Sequence, residues 1–183
     1  GVTRNIIGPV ARFLGRLGLS PNALTVIGCL LNIGVGVVIA SGRLRLGGFL
    51  LILASAFDAI DGTLARQMGQ ATKFGAFLDS VLDRVSESAA LLGIAWWYMG
   101  QPGRMEEMLA YVAIVGSLLV SYARARAEGI GVECKGGYFT RVERAIVLIA
   151  ALILGLTPWA LGLLAIGTLA TTLLTEQLFA RDL

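Results

Sequence analysis

The feature that most constrains this chain is a series of six long apolar runs separated by short polar connections. The runs cover residues 22–40, 46–65, 74–99, 108–127, 145–156 and 159–179. Most of them approach the roughly 20 residues that a helix needs to cross a bilayer. A mean hydropathy of +0.79, with 56% hydrophobic and 15% charged residues, is typical of polytopic membrane proteins. We therefore predict an all-α membrane protein that forms one domain over residues 1–183, with six transmembrane helices in 21–183.

The fifth apolar run and the N-terminal segment differ from the other parts of the chain. The fifth run is short, so we expect its helix to begin before Ala145, within residues 140–144, where long arginine side chains can reach the interface.

Residues 1–20 contain no uninterrupted apolar core, so we expect no cleavable signal. Their apolar residues recur at nearly helical spacing, which predicts an amphipathic helix in the membrane interface, stable from Pro9 onward. A disordered basic tail is the alternative.

The distribution of basic residues predicts the orientation of the helices. Segments 1–20, 67–73 and 129–144 and the C-terminus would lie on one side and hold most of the lysines and arginines, while the other side would hold Arg43, Arg45 and Arg104. Because basic residues accumulate on the cytoplasmic side, we predict a cytoplasmic-membrane protein with both termini in the cytoplasm. The net charge of +3 then has a membrane explanation, and we predict no nucleic-acid partner.

The absence of histidine narrows the possible chemistry. Without histidine, Ser-His and Cys-His nucleophiles and the usual zinc sites are excluded. Cys29 is predicted within the membrane and Cys134 in a cytoplasmic loop, so we expect two free thiols without a catalytic role. Any chemistry must then depend on carboxylates, metal ions and arginines.

Four aspartates are gathered at the predicted cytoplasmic ends of the second and third helices. Asp58 and Asp61 are three residues apart, and Asp79 and Asp83 are four apart, so each pair lies on one helix face. The connection between the two helices has only about seven residues, which requires them to be antiparallel neighbours. We therefore predict that all four carboxylates converge, on the cytoplasmic side.

Such a concentration of negative charge requires a counter-charge. Arg66 and Arg84 supply only part of it. Carboxylate ligands without sulfur or imidazole select hard cations, so the pattern predicts two Mg²⁺ ions, with Mn²⁺ as the other possibility. Two such ions commonly bind a phosphate ester during an in-line displacement.

The residues between the acids are compatible with a phosphate ligand. Gly62, Ala65 and Gly75 are small enough for a ligand to lie against the helix backbones, and Arg66 can bind a phosphate through its forked guanidinium. Close helix packing is the alternative explanation for the glycines.

These residues form the pattern Asp58-x2-Asp61-Gly62-x2-Ala65-Arg66-x8-Gly75-x3-Asp79-x3-Asp83. At every fixed position the pattern resembles the signature of the CDP-alcohol phosphotransferase family. The six predicted helices, the N-terminal interfacial segment and Ser20-Pro21-Asn22 before the first span are also similar to that family. The resemblance implies a homodimeric enzyme that transfers a phosphoalcohol from a CDP-linked donor to an acceptor hydroxyl and releases CMP.

The resemblance also implies roles for individual residues. Asp58, Asp61, Asp79 and Asp83 would be metal ligands, with Asp83 also the base that takes the acceptor proton. The residues implied along the cytidine diphosphate of the donor are Asp61, Gly62, Ala65, Arg66, Gly75 and Asp79. Glu87 continues the face of Asp79 and Asp83 by one turn, and we interpret it either as a partner of Arg84 or as a polar residue of a helix interface.

A second cluster of basic residues flanks the connection between the fourth and fifth helices. Its members are Arg124, Arg126, Lys135, Arg141 and Arg144. Accumulation of basic residues on the cytoplasmic side would explain several of them. Alternatively, the two arginine pairs face each other beside the aspartates and form a pocket for a phosphate of the acceptor.

The second cluster is also similar to the inositol-phosphate branch of the family, whose KARAE and RPER stretches are matched here except at Arg124 and Val142. We therefore predict inositol 1-phosphate as acceptor, ahead of glycerol 3-phosphate, with free inositol and serine still open. The donor would be CDP-diacylglycerol or an archaeal CDP-diether lipid, reached from the bilayer between helices.

Two other classes of protein also place acidic residues in a membrane. A prenyltransferase uses aspartates and magnesium to bind a diphosphate, but it lacks the Gly, Ala and Arg positions found here. A small cation carrier would explain the intramembrane acids but not Arg66 or the second basic cluster. Protection of the protein by CDP or CMP in the presence of magnesium would separate the three hypotheses.

Overall fold

Six helices account for most of the chain. The computed structural model describes residues 20–67, 72–131 and 139–181, and within them no strand is present. The helices are α1 (Pro21–Ala40), α2 (Leu44–Gln67), α3 (Lys73–Met99), α4 (Met105–Gly129), α5 (Arg141–Leu154) and α6 (Thr157–Arg181). The all-helical architecture and the number of helices predicted from the apolar runs are confirmed. The interfacial helix predicted in residues 1–20 lies almost entirely outside the described residues.

Local capping explains where several helices begin. The Ser20 hydroxyl accepts a hydrogen bond from the Ala23 N–H at 3.2 Å, with Pro21 at the start of α1. Thr72 does the same for α3 by accepting from the Gly75 N–H at 2.9 Å. At the start of α5, Thr140 and Glu143 form a capping box. The fifth helix therefore begins before Ala145 and inside the basic segment, as predicted.

The outer surface of the helices is rich in apolar side chains. Val37, Leu53, Trp96 and Ile166 each expose about two thirds of their surface, and an apolar surface of this extent favours a lipid environment. Within the part of the chain that the structure describes, two helices, α1 and α4, are long and apolar enough to cross a membrane. That all six cross remains a prediction.

Close backbone contact joins α1 to α3. A Cβ on Gly93 would lie 2.2 Å from the Gly36 carbonyl oxygen, and a Cβ on Gly36 would lie 2.5 Å from that of Ala89. The two helix backbones therefore touch without a side chain between them, as small residues allow in membrane proteins. On the other side of the bundle, α4 and α6 meet where Gly116 packs against Thr168.

The core runs through the middle of the bundle. Its fully buried large apolar side chains are Leu24, Ile39, Leu91, Ile94, Leu152, Leu161 and Leu164. Leu51 of α2 and Ala113 of α4 belong to the same core cluster, so the core draws on all six helices. The polar ends of α2, α3 and α5 lie on the same side of the molecule, where Arg141 contacts Asp58 and Asp83.

Candidate active site

Three aspartates from two helices lie together where α2 ends and α3 begins. Asp58 is on α2, and Asp79 and Asp83 are on the first turns of α3. Asp58 and Asp83 both lie within ion-pair distance of Arg141, and Asp79 is one helical turn before Asp83. The structure therefore brings Asp58 and Asp83 together on one arginine, with Asp79 on the next turn of α3.

Arg141 bridges these two acidic helices. Its Nη1 lies 2.8 Å from Asp83 Oδ1, and its Nη2 lies 3.4 Å from Asp58 Oδ2. Arg141 is the first residue of α5 and remains 40% exposed, whereas the two carboxylates are mostly buried. One guanidinium thus joins α2, α3 and α5, and its exposed part is available to a ligand.

The backbone of α1 lies directly behind Asp58. A Cβ on Gly28 would lie 2.5 Å from Asp58 Oδ1. One turn further along α1, the buried Asn32 side chain donates to the Gly28 carbonyl oxygen at 3.0 Å. Neither residue was predicted to belong to the site, although an asparagine four residues after a glycine in an apolar run is a usable signal. Gly28 leaves the space that the Asp58 carboxylate fills.

A second arginine pairs with an acid next to the first. Arg144 donates from Nε to Glu87 Oε1 at 2.7 Å, from Nη2 to Glu87 Oε2 at 2.8 Å and from Nη1 to the Phe139 carbonyl oxygen at 3.0 Å. It is only 3% exposed. The suggestion that Glu87 pairs with Arg84 is wrong, because Arg84 donates to the carbonyl and hydroxyl oxygens of Ser80 on its own helix.

The two ion pairs form a two-rung ladder between α3 and α5. On α3, Asp83 and Glu87 are four residues apart, and on α5, Arg141 and Arg144 are three apart, so each set lies on one helix face. The Asp83–Arg141 pair is the outer rung, and the Glu87–Arg144 pair is the inner rung. The spacing of the acids on α3 and of the arginines on α5 can be read from the sequence. Which acid pairs with which arginine cannot.

A small cavity lies beside the ladder. Its volume is about 50 Å³, and its polar lining consists of Asn32, Ser55, Ser86, Glu87, Arg141 and Arg144, while the rest of its wall is apolar. A cavity of this volume has room for a small number of water molecules. Both rungs of the ladder therefore border a partly polar space inside the bundle.

The other predicted donor-site residues are placed as follows. Asp61, Gly62, Ala65 and Arg66 lie on the last turns of α2, and their side chains are outside the described part of the structure. A Cβ on Gly75 would lie 2.9 Å from Asn22 Oδ1 and 3.1 Å from Thr72 Oγ1. Close packing between the starts of α1 and α3 is thus one reason for glycine at position 75.

The predicted acceptor cluster is divided between different surroundings. Arg124 is exposed and pairs with Glu128 on the same helix at 3.1 Å, and Arg126 is also exposed. Lys135 lies outside the described residues. Within the cluster, Arg141 is the member that the described structure places on the aspartates.

The donor chemistry of the aspartates fits a hard divalent cation. Among the side chains that the structure describes, no three acidic, histidine or cysteine residues are close enough together to form a metal-ligand set. Asp61, the fourth predicted ligand, has no described side chain. Three carboxylates carry more negative charge than Arg141 neutralises, and oxygen ligands of this kind suit Mg²⁺ or Mn²⁺.

Comparison with protein families and curated proteins gives consistent matches. Residues 18–174 match the family described as CDP-alcohol phosphatidyltransferase. The chain is 38% identical over 177 residues to the phosphatidylinositol phosphate synthase of Corynebacterium glutamicum, covering 91% of this chain and 80% of the relative. It is 38% identical over 160 residues to the archaetidylinositol phosphate synthase of Methanothermobacter thermautotrophicus, covering 86% and 78% of the two chains.

Solved structures give a matching result. The phosphatidylinositol phosphate synthase of Mycobacterium tuberculosis with CDP-DAG bound superposes with a TM-score of 0.90 at 29% identity, covering 94% of this chain and 92% of that one. The same enzyme in complex with manganese and citrate gives a TM-score of 0.89 at 29% identity, covering 94% and 88%. The likeness extends over nearly the whole length of both proteins.

Proposed function

The chain belongs to the CDP-alcohol phosphatidyltransferase family, and from that premise we propose that it transfers a phosphatidyl group from CDP-diacylglycerol, or the corresponding CDP-diether lipid, to inositol 1-phosphate. CMP is the second product. The observation that carries the proposal is that Asp58 and Asp83 meet on Arg141 in a fold that matches the CDP-DAG-bound synthase over 94% of this chain. Glycerol 3-phosphate and free inositol are the alternative acceptors.

The reaction needs a base for the acceptor hydroxyl. In a direct displacement the acceptor oxygen bonds to the phosphorus of the phosphatidyl group, the bond from that phosphorus to the CMP oxygen breaks, and the hydroxyl proton must leave. We assign the proton to Asp83. Arg141 occupies Asp83 Oδ1 and so fixes the carboxylate, which leaves Oδ2 to accept the proton.

The four aspartates of the motif would hold the divalent cations. Asp58, Asp61, Asp79 and Asp83 would bind two Mg²⁺ ions, or Mn²⁺, which when bound supply positive charge to the diphosphate and to the departing CMP. Asp58 is supported from behind by the α1 backbone at Gly28, so its carboxylate has little freedom to retreat. The donor-binding residues are Asp61, Gly62, Ala65, Arg66, Gly75 and Asp79.

The basic cluster selects a phosphorylated acceptor. Arg141 is half-exposed next to Asp83, so a phosphate bound there would hold the acceptor hydroxyls close to the base. Arg124, Arg126 and Lys135 complete the proposed acceptor pocket, whereas Arg144, also predicted there, is buried with all three guanidinium nitrogens bonded and has none left for a ligand. A basic pocket favours an acceptor phosphate over a neutral alcohol.

The membrane arrangement follows from the same proposal. All six helices cross the bilayer, the N-terminal segment lies in the interface, and the aspartates and both termini are on the cytoplasmic side. The lipid half of the donor enters sideways between helices, and the protein acts as a homodimer.

Release of CMP tests the proposed function. Purified protein receives CDP-diacylglycerol and Mg²⁺ together with inositol 1-phosphate, glycerol 3-phosphate, free inositol or no acceptor. We expect release to depend on inositol 1-phosphate and to stop when EDTA removes the metal. Release that requires another acceptor would keep the family chemistry and overturn the assigned acceptor. No release with any acceptor, in Mg²⁺ or Mn²⁺, would overturn the proposal.

A further inference from the structure

We infer that Glu87 is a positioning residue for the transfer reaction: by binding Arg144 it fixes the turn before α5 and so sets Arg141 on Asp58 and Asp83. The inference rests on the proposed function, because it concerns how the acceptor arginine is held. Glu87 itself contacts neither donor nor acceptor in this role.

The geometry of the inner rung suits a permanent anchor. Both carboxylate oxygens of Glu87 are bonded by Arg144, and all three guanidinium nitrogens of Arg144 have acceptors. Arg144 is also 3% exposed, whereas Arg141 is 40% exposed. A forked, buried pair of this kind holds one geometry, because opening it would leave a charge unpaired.

The third bond of Arg144 connects the anchor to the turn. The acceptor is the carbonyl oxygen of Phe139, whose φ of 60° is in the left-handed region that residues with a side chain rarely adopt. Such a backbone conformation persists only where the surroundings hold it. Arg144 holds the carbonyl side of Phe139.

Packing on α6 holds the ring of the same residue. A Cβ on Gly167 would lie 2.9 Å from Phe139 Cε1 and 3.0 Å from Cδ1, so the ring fits closely where position 167 has no side chain. Phe139 is therefore fixed at both its carbonyl and its ring, by α5 and α6. Glu87 connects this fixed turn to α3.

Arg141 lies two residues after Phe139, at the first position of α5. Thr140 caps the helix between them, so the fixed turn determines where α5 begins and in which direction Arg141 leaves it. The outer rung depends on that placement, since Arg141 must reach Asp83 at 2.8 Å and Asp58 at 3.4 Å at the same time. Small displacements of a group at a reacting centre have large effects on rate.

A double-mutant cycle between Glu87 and Arg141 tests the inference. The variants are Glu87→Gln, Arg141→Lys and the combination, and the measurement is CMP release as a function of acceptor and of CDP-diacylglycerol. We expect Glu87→Gln alone to raise the acceptor KM about tenfold with less than about twofold change in the donor KM. In the Arg141→Lys background the same change should alter the acceptor KM by less than about twofold, since the residue it positions is already displaced.

Two further variants distinguish a positioning effect from a general folding defect. Gly167→Ala pushes on the Phe139 ring without removing a charge, and we expect the same rise in acceptor KM and the same loss of effect beside Arg141→Lys. Glu107→Gln removes a glutamate from the first turn of α4, at the opposite end of the bundle, and should leave both KM values unchanged.

The outcomes distinguish this inference from the proposed function. The positioning role would be overturned if Glu87→Gln raised the acceptor KM equally in the wild-type and Arg141→Lys backgrounds. It would also be overturned if Glu87→Gln changed the donor KM as much as the acceptor KM. In both cases the wild-type activity, and with it the proposed function, would stand. A wild-type protein that releases no CMP with any acceptor would overturn both. If Glu87→Gln does not fold, the same comparison is made with Gly167→Ala in the wild-type and Arg141→Lys backgrounds, and the same outcomes support or overturn the positioning role.

Discussion

The two rungs of the α3–α5 ladder use the same chemistry in different surroundings. Arg141 and Arg144 are three residues apart on one helix, and each binds carboxylates of α3. Arg141 is 40% exposed and shares its guanidinium between two aspartates, whereas Arg144 is 3% exposed and is bonded on every nitrogen. An exposed pair can exchange a partner for a ligand, while a buried pair opens only at a large cost. Burial, more than residue type, therefore distinguishes Arg141, the proposed acceptor-binding arginine, from Arg144, the proposed anchor.

The largest effect is expected from breaking the outer rung at Asp83. Asp83→Asn keeps the size of the side chain but removes the base, so turnover should fall by about 10³-fold. The measurement is kcat for CMP release, with thermal unfolding as the control for folding. Turnover near the wild-type value would remove Asp83 as the base and leave the outer rung with a binding role alone.

Removing the arginine of the inner rung should chiefly affect stability. Arg144→Ala leaves Glu87 unpaired in a buried position, and we expect the free energy of unfolding to fall by about 3–5 kcal/mol. Arg141→Ala should cost about 1 kcal/mol or less, because Arg141 is 40% exposed and solvent screens its ion pairs. Unfolding in detergent by denaturant compares the two variants. Equal losses would mean that burial does not distinguish the rungs.

The contact between Gly28 of α1 and Asp58, the second partner of Arg141, can be tested by substitution. Gly28→Ala places a methyl group against Asp58 Oδ1, which moves the carboxylate away from Arg141 and should lower kcat/KM about tenfold. Gly34→Ala is the matched control, since nothing lies within 4 Å of a Cβ at that position on the same helix. Both variants gain the same helix propensity. A similar change in activity for both would show that Asp58 does not depend on α1.

The smallest effect is expected at a third arginine, which extends the comparison to a pair that is more than half exposed. Arg124 binds Glu128 on the surface of α4. Arg124→Ala should change the free energy of unfolding by less than about 0.5 kcal/mol. Denaturant unfolding beside Arg144→Ala measures the difference. A loss as large as that of Arg144→Ala would contradict the link between burial and stability.

The fold was largely predictable because its main determinants are local. Six apolar runs and short connections correctly predicted six helices, and the basic segment correctly predicted that α5 starts before Ala145. The approach of Asp58 to Asp83 also followed from helical spacing and a short connection. The predicted interfacial helix, the side chains of Asp61 and Arg66, and Lys135 remain predictions because they lie outside the described residues.

The remaining features of the site depend on packing between distant segments. Glu87 and Arg144 are 57 residues apart, and Gly28 meets Asp58 only because α1 packs beside α2. The spacing of residues within a helix determines which side chains share a face. It does not determine which face of another helix they meet, so the inner rung could be found only in three dimensions.

The contact between Gly36 and Gly93 has a mechanical consequence for an enzyme in a lipid bilayer. With backbone against backbone, no side-chain rotamer is available to absorb sliding of α1 along α3. If α1 and α3 both cross the bilayer, as proposed, a change in its hydrophobic thickness would be met by tilting the two helices as one body. Asp83 on α3 and Gly28 on α1 would then keep their spacing as the membrane thickness varies.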